Sequence, residues 1–481
     1  MYPDLSTVLS YRQQGYRRVP VCMELLSDFT TPISLMRILK GVSDHVFLLE
    51  SVEGGEKWGR YTFLGYDPVL TVTCLDGKMK VGEREIFTDC PAAVIEGILN
   101  EYRSPRVFGL PPFAGGLVGY FSYDYLKYVE PSLKLDAPDD EGFFDVDLML
   151  FDKVIAFDNL RQKLLLIVNI VPDEGAYQEA EKTLFDMATL VKEGKPAFIE
   201  RGKLISEMKS LFSKEAYTAM VERAKEHIRE GDLFQIVLSN RFEAAFSGSL
   251  FGAYRMLRTL NPSPYLFYLS GSDSEVVGAS PETLVKLEGN TLHTFPLAGT
   301  RPRGRTSEED EALERELLSD PKELAEHNML VDLGRNDLGK LSSFGTVEVE
   351  RYHEVLRFSH VMHIGSAVKG ELAAGKTAMD VIGAVLPAGT LSGAPKIKAC
   401  QLINDLEGNK RGVYGGAIGY LDFSGNLDVA IAIRLAYRKN GKVFVRSGAG
   451  IVADSVPERE YKECLNKAAA VFRALKEGET V

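Results

Sequence analysis

The chain has 481 residues, of which 45% are hydrophobic and 26% charged, and a net charge of −12. That length exceeds one compact core, the composition is that of a globular protein, and the acidic balance excludes a broad nucleic-acid-binding face. Five scattered cysteines, Cys22, Cys74, Cys90, Cys400 and Cys464, form no CxxC pair, which points to reduced thiols. The start, MYPDLSTVLSYRQQGYRRVP, lacks the apolar run of a signal peptide, and no stretch is long and apolar enough to span a membrane, so a cytoplasmic protein is expected.

Up to residue 171 the chain reads as short β-like runs broken by turns: HVFLLES, YTFLGY, VLTVTCL, GLVGYFSY, DLMLFDKVIAFD and KLLLIVNIV. Few are separated by a helical pattern, so antiparallel sheet is expected rather than a doubly wound parallel one. Residues 172–212 read as a connector, a polar helix from Glu174 and then a Gly-Lys-Pro break. The stretch 213–481 opens with Ser213 as the cap of a helix whose Tyr217, Met220, Val221, Ala224 and Ile228 follow helical spacing; FQIVLSNRF then reads as a strand.

Two later helices carry paired carboxylates. Asp320-Pro321 opens one, with Glu323 completing a capping box and Glu326 one turn beyond. Pro457 opens the other, on which Glu460, Glu463 and Lys467 share a face beside the stripe Tyr461, Leu465, Ala468, Phe472 and Leu475. Each ExxE pair is either a solvated charged face or a source of hard oxygen ligands for magnesium. Between the helices lies LPAGTLSGAPKIKA, Leu386 to Ala399. It is not a nucleotide P-loop, because Ala394-Pro395 intervene before Lys396 and Pro395 has no N–H to offer a phosphate. Arg434 stands in the apolar run AIAIRLA, either as a paired core arginine or as the ligand of an anion.

The segments NPSPYLFYL, GASPETLVK, PLAGTRPRG, ELAEHNMLVDLGRND, VMHI, LPAGTLSGAPK, YGGAIGYL, AIAIRLAY and SGAGIVADSVPEREYKECLNKA follow one another in the second half, and LLES and FAGGLVGYFSYD precede them. As an ordered set they resemble the chorismate-utilising enzymes, specifically the anthranilate synthase component I group. The resemblance implies an α+β fold, with extended antiparallel β-sheets in a sandwich-like core and helices packed outside. It further implies a regulatory N-terminal region to residue 171 and a chorismate-binding catalytic domain from 213. The implied activity is that of a Mg2+-dependent lyase at the first step of tryptophan biosynthesis, making anthranilate and pyruvate from chorismate and ammonia. The ammonia would come from glutamine through a glutamine amidotransferase subunit, component II, since the chain has no GxCxG-like nucleophile elbow; tryptophan would inhibit by feedback.

By the same resemblance Glu282 of SPET is the general acid at the departing ring hydroxyl, His363 of SHVMHI serves the elimination of pyruvate, and Thr300 bonds near that hydroxyl. Gln235 stands where isochorismate and salicylate synthases carry a lysine base, and Ala298 where aminodeoxychorismate synthases carry a lysine nucleophile, which leaves free ammonia as the nucleophile. Gly299, Thr390, Tyr414, Arg434, Gly448, Ala449, Gly450 and Lys467 are implied at the substrate, most of them on its pyruvyl side. Glu326 and Glu463 are the implied principal magnesium ligands, with Glu323 and Glu460 acting directly or through water. Leu49, Glu50 and Ser51 of LLES, Lys57, and Pro264, Tyr265 and Leu266 of NPSPYLF are implied at tryptophan. Two rival readings are an aminodeoxychorismate synthase component I and a catalytically silent tryptophan-binding regulatory subunit.

Overall fold

A computed structural model describes residues 1–51, 59–271, 274–357 and 361–480. The β-like runs form strands whose named pairs are all antiparallel, and they assemble into two large sheets. One sheet runs in the order Val19–Leu26, Lys163–Ile170, Lys153–Asp158, Tyr61–Tyr66, Val46–Glu50, Tyr265–Ser270, Glu275–Ser280, Leu435–Lys439, Lys442–Ile451, Gln235–Ser247, Lys203–Leu204. The central part of the other contains Val361–Glu371, Thr291–Thr294, Thr283–Glu288, Leu427–Ile431, Ala417–Asp422, Gly116–Phe121 and Val146–Phe151.

Many of these strands are apolar on both faces because both faces are covered. Between the sheets Phe47, Phe63, Phe113, Val118, Tyr120, Phe151, Phe267 and Tyr420 form one core. Outside the first sheet the helices Pro32–Leu39, Glu174–Glu193, Lys214–Arg229, Phe251–Leu260 and Pro457–Gly478 bury a second core. Outside the other sheet the helices Pro91–Glu101, Pro321–Gly339 and Ala378–Val385 cover a third. The result is a four-layer α+β sandwich with helices outermost, as expected.

The boundaries at 171 and 212 do not separate two cores. Strand Val46–Glu50 pairs with Tyr265–Ser270, and Gly116–Phe121 pairs with Ala417–Asp422, so each sheet is built from both halves of the chain. A strand apolar on both faces cannot be satisfied by its sequence neighbours alone, and the missing cover comes from the other half. The stretch 172–212 supplies the helix Glu174–Glu193 on the first sheet and two short strands at its edge. Among the described residues no helix is long and apolar enough to cross a membrane.

The helices that carry the paired glutamates start as their sequences dictate. Asp320 caps Pro321–Gly339 by accepting from the Lys322 and Glu323 N–H groups. The expected capping box does not close, because the Glu323 side chain accepts from Arg301 at 3.2 Å and the Asp320 N–H donates to Leu317 O instead. Pro457 opens the other helix, which sets Cys464, Ala468, Val471 and Leu475 into the core and leaves Glu460, Glu463 and Lys467 at its side.

Candidate active site

A cavity of about 810 Å³ opens where these two helices face the ends of strands from both sheets. Gln235, Glu282, Ala298, Gly299, Thr300 and His363 line it, as do Thr390, Tyr414, Arg434, Gly448, Gly450, Lys467 and the carboxylates Glu323, Glu326, Glu460 and Glu463. The motifs are far apart in sequence and meet here. Ala449 does not line it. On strand Lys442–Ile451 side chains alternate, so Gly448 and Gly450 face the cavity while Ala449 is fully buried in the core beneath.

The glycines at this wall keep it open. A Cβ at Gly448 would lie 2.5 Å from Leu238 O and 3.1 Å from the Tyr414 hydroxyl, and one at Gly450 would lie 3.0 Å from the Gln235 amide nitrogen. Any side chain there would fill the space between Gln235 and Tyr414. Arg434 stands nearby with a backbone φ of +53°, a left-handed conformation that costs energy for a non-glycine residue and clusters at functional sites. Its guanidinium is largely buried and donates to Lys467 O at 3.1 Å rather than to a carboxylate; burial lowers its pKa.

Glu282 also lines the cavity, just before strand Thr283–Glu288. Burial pushes its carboxyl up to about 7, a shift opposed by the hydrogen bond from Thr390 Oγ1 at 3.0 Å and by the charge of Lys467. Thr390 is thus bonded to the acid. The segment around it is no phosphate cradle: Leu391 and Ser392 N–H groups donate to Ala388 O and Gly389 O, Gly393–Ala394 pairs with Gln235 and Ile236, and Lys396 is bonded to Asp337 at 2.8 Å.

His363, on strand Val361–Glu371, has Nδ1 2.9 Å from Gly299 O and 3.1 Å from Thr300 Oγ1. A carbonyl can only accept, so Nδ1 carries the proton and Nε2 is the basic nitrogen. Burial and, more weakly, the charge of Arg434 lower the pKa of this histidine while Gly299 O raises it, so the ring is neutral near neutral pH. Gly299 adopts a φ of +66°, and a Cβ there would lie 3.2 Å from a Glu323 carboxylate oxygen.

The four glutamates are hard oxygen donors and feel one another. Burial raises Glu326, and the charges of Glu323 and Glu463 add to it; burial also raises Glu460, and the charge of Glu463 adds to that. Glu463 is paired with Lys467 at 2.7 Å and Glu323 with Arg301. No three of the four bring an oxygen each within 4.8 Å of one another; among the described residues only His227, Glu230 and Asp232 do, at the surface, where Asp232 is already paired with Lys398 at 3.4 Å and bonded to His227 Nδ1 at 2.8 Å. The donor set on the two helices fits a magnesium ion with one or two direct protein ligands, since that ion keeps several waters and substrate oxygens.

Sequence reasoning overlooked a buried ionic group behind this wall. Glu407 accepts from Arg411 and Arg446, both at 2.6 Å, and from Ser239 N–H and Oγ. Arg411 also donates to Leu391 O and Val237 O, so it ties the Thr390 loop to the Gln235 strand. Arg446 gave the same signal as Arg434, an arginine inside an apolar strand.

A second, smaller cavity of about 100 Å³ lies between the sheets, lined by Leu49, Glu50, Ser51, Pro264, Tyr265 and Leu266 together with Arg60, Tyr61 and Asp428. The two expected segments therefore do meet. Glu50 is buried and bonded to Tyr254 and to both Nε and Nη2 of Arg258, while Tyr265 bonds Asp428 at 2.8 Å. Glu50 therefore anchors the strand to helix Phe251–Leu260, since its charge is already satisfied. Lys57 lies outside the described residues; Arg60, which sequence reasoning did not single out, is a cation on the cavity wall.

Residues 47–473 match the family model described as chorismate binding enzyme. The chain is 46% identical to anthranilate synthase component 1 of Acetivibrio thermocellus over 99% of both sequences, and 45% identical to that of Aquifex aeolicus over 97% of this chain and 96% of the other. Its fold superposes on the crystal structure of anthranilate synthase component I from Streptococcus pneumoniae with a TM-score of 0.78, at 37% identity and covering 93% of this chain and 98% of that one. The menaquinone-specific isochorismate synthase of Escherichia coli shares the fold at a TM-score of 0.69 and 20% identity, covering 98% of this chain and 99% of that one. With its cavity walls drawn from both halves of the sandwich, the chain belongs to the chorismate binding enzyme family, in its anthranilate synthase component 1 branch.

Proposed function

We propose that the chain converts chorismate and ammonia to anthranilate, pyruvate and water as the aminating component of an anthranilate synthase. One observation carries this reading: a single cavity holds a carboxyl with a pKa of about 7, a neutral histidine and a largely buried arginine that donates to a backbone carbonyl, with Gln235 and Ala298 where related enzymes place lysines. Arg434, with backbone and hydroxyl groups of the Gly448–Gly450 wall and Tyr414, takes the pyruvyl carboxylate. Protonated Glu282 gives its proton to the ring hydroxyl, which leaves as water while ammonia forms a C–N bond at the ring carbon beside the carboxylate. His363 then accepts the proton from that carbon through Nε2. The released electron pair closes the aromatic ring, the enolpyruvyl C–O bond breaks with its pair on oxygen, and the enolate leaves and takes up a proton to become pyruvate.

Glu326 and Glu463, with Glu323 and Glu460 beside them, would hold magnesium. When bound, the ion supplies charge neutralisation at the ring carboxylate and acidifies the neighbouring position. The ammonia comes from glutamine through a separate subunit, a reading supported by the component numbering of the relatives and by the absence of a glutaminase nucleophile motif. Tryptophan binds the cavity of Ser51 and Tyr265, and the protein works in the cytoplasm. The strands that carry Glu50 and Tyr265 at that cavity belong to the sheet that also carries the Gly448–Gly450 wall, which gives the two sites a common frame.

The two-step division is tested with His363→Met. Amination should persist at a reduced rate and the aminated, still non-aromatic intermediate should accumulate, as followed by chromatography of quenched reactions. Equal loss of both steps would contradict the base role.

A further inference from the structure

Lys467 faces two sites at once. Its Nζ lies 2.7 Å from Glu463 Oε1, one helical turn back, and 3.2 Å from Gly448 O on the substrate wall, and its own backbone carbonyl holds Arg434. Both partners of the Glu463–Lys467 pair are well exposed to the cavity, at 48% and 38%, and an exposed i,i+4 pair of this kind is weak and readily exchanged. The contrast is the Glu407–Arg411–Arg446 group, fully buried and multiply bonded, which cannot exchange. Across the cavity Glu326 feels the charge of Glu463 and also that of Lys467, so the ammonium neutralises the acidic site as a whole.

From this geometry, and resting on the magnesium reading above, we infer that Lys467 is a displaceable counter-ion. It pairs with Glu463 when no dication is present, and it is handed to the carboxylate of the substrate when a dication takes Glu463. The ammonium needs only to rotate about its side-chain torsions, since Gly448 O already lies within its reach. Occupation by a dication makes Lys467 redundant at Glu463, and a monocation beside a dication is repelled. A carboxylate bound near Arg434 and Gly448 offers it the alternative partner. Binding of the dication and of the anion is therefore coupled through one side chain, and each favours the other. Arg301 plays no such part at Glu323, because it is also held by Asp320 and Glu316.

The test is calorimetric titration of the full chain with Mn2+ alone, at low ionic strength and without chorismate. Lys467→Met should bind Mn2+ about fivefold more tightly than wild type, the factor carried by no longer having to break one pair of unit charges at ~4 Å in water. Lys467→Arg should restore the wild-type affinity, and the gain should vanish when Glu463→Gln is added to Lys467→Met. Thermal melting should show Lys467→Met folded like wild type, because its side chain is not in the core. Unchanged or weaker Mn2+ binding in Lys467→Met overturns the exchange while leaving the metal site standing. No Mn2+ binding by either protein, with turnover of chorismate persisting in a chelator, overturns the metal site and the exchange with it.

Discussion

At the scale of single residues the proposed chemistry rests on two groups moved from their ordinary pKa in opposite directions. Glu282 is raised from 4.5 to about 7, and His363 is lowered from 6.5, both mainly by burial. A raised carboxyl is the acid form at neutral pH, and a lowered imidazole is the base form, which are the states the two proposed steps require. Activity should therefore rise through a limb below 6.5 and fall through a limb near 7. Thr390 bonds Glu282 and opposes its shift, so Thr390→Val should move the falling limb to higher pH; a pH profile of kcat would show it, and an unmoved limb would mean that Glu282 is not the group titrating there. The linkage to stability has a definite sign. Because the folded pKa is raised, the contribution of Glu282 to stability is fully present below 4.5 and is lost as pH rises through about 7. Much of this site was legible in the sequence, since Arg434, Glu282 and His363 sit in short, ordered motifs. Ala449 was misjudged because a motif names consecutive residues, whereas a strand shows only alternate ones to a cavity. Arg301 and Arg446 were passed over because their partners lie in other segments, and pairing across the fold has no signature in a linear pattern.

At the scale of elements, strand pairing is what brings distant motifs together. Val46–Glu50 and Tyr265–Ser270 are adjacent, with Glu50 opposite Leu266, and the smaller cavity lies at that seam. The strand's end is fixed by Glu50, whose bonds to Arg258 and Tyr254 join strand to helix. Ser51 follows at once and lines the cavity, so a larger side chain there would fill it. Ser51→Phe should relieve inhibition by tryptophan and leave turnover without tryptophan close to wild type. Steady-state rates across a tryptophan series check this, and an unchanged inhibition curve would rule the cavity out as the regulatory site. The runs that form these strands were visible in the sequence, but their partners were not. Period and apolar content say that a strand is covered, not what covers it.

At the scale of the whole molecule, the two sheets act as one frame for both cavities, because neither half of the chain completes a sheet by itself. The sequence suggested two regions joined by a connector, and composition does shift near residue 171. The interleaving comes from long-range pairing such as Gly116–Phe121 with Ala417–Asp422, which no local signal records. A ligand between the sheets that favours one spacing of the frame can therefore reach the larger cavity without a hinge, provided it binds that arrangement more tightly. The central claim, that this frame presents chorismate to ammonia with Gln235 and Ala298 in place of lysines, is tested most directly by product identification. The purified chain, given chorismate, magnesium and 15N-labelled ammonium salt without glutamine, should release anthranilate bearing the label beside the carboxylate, with an equal amount of pyruvate. Labelled product with the amine para to the carboxylate, or isochorismate with no label, would contradict it.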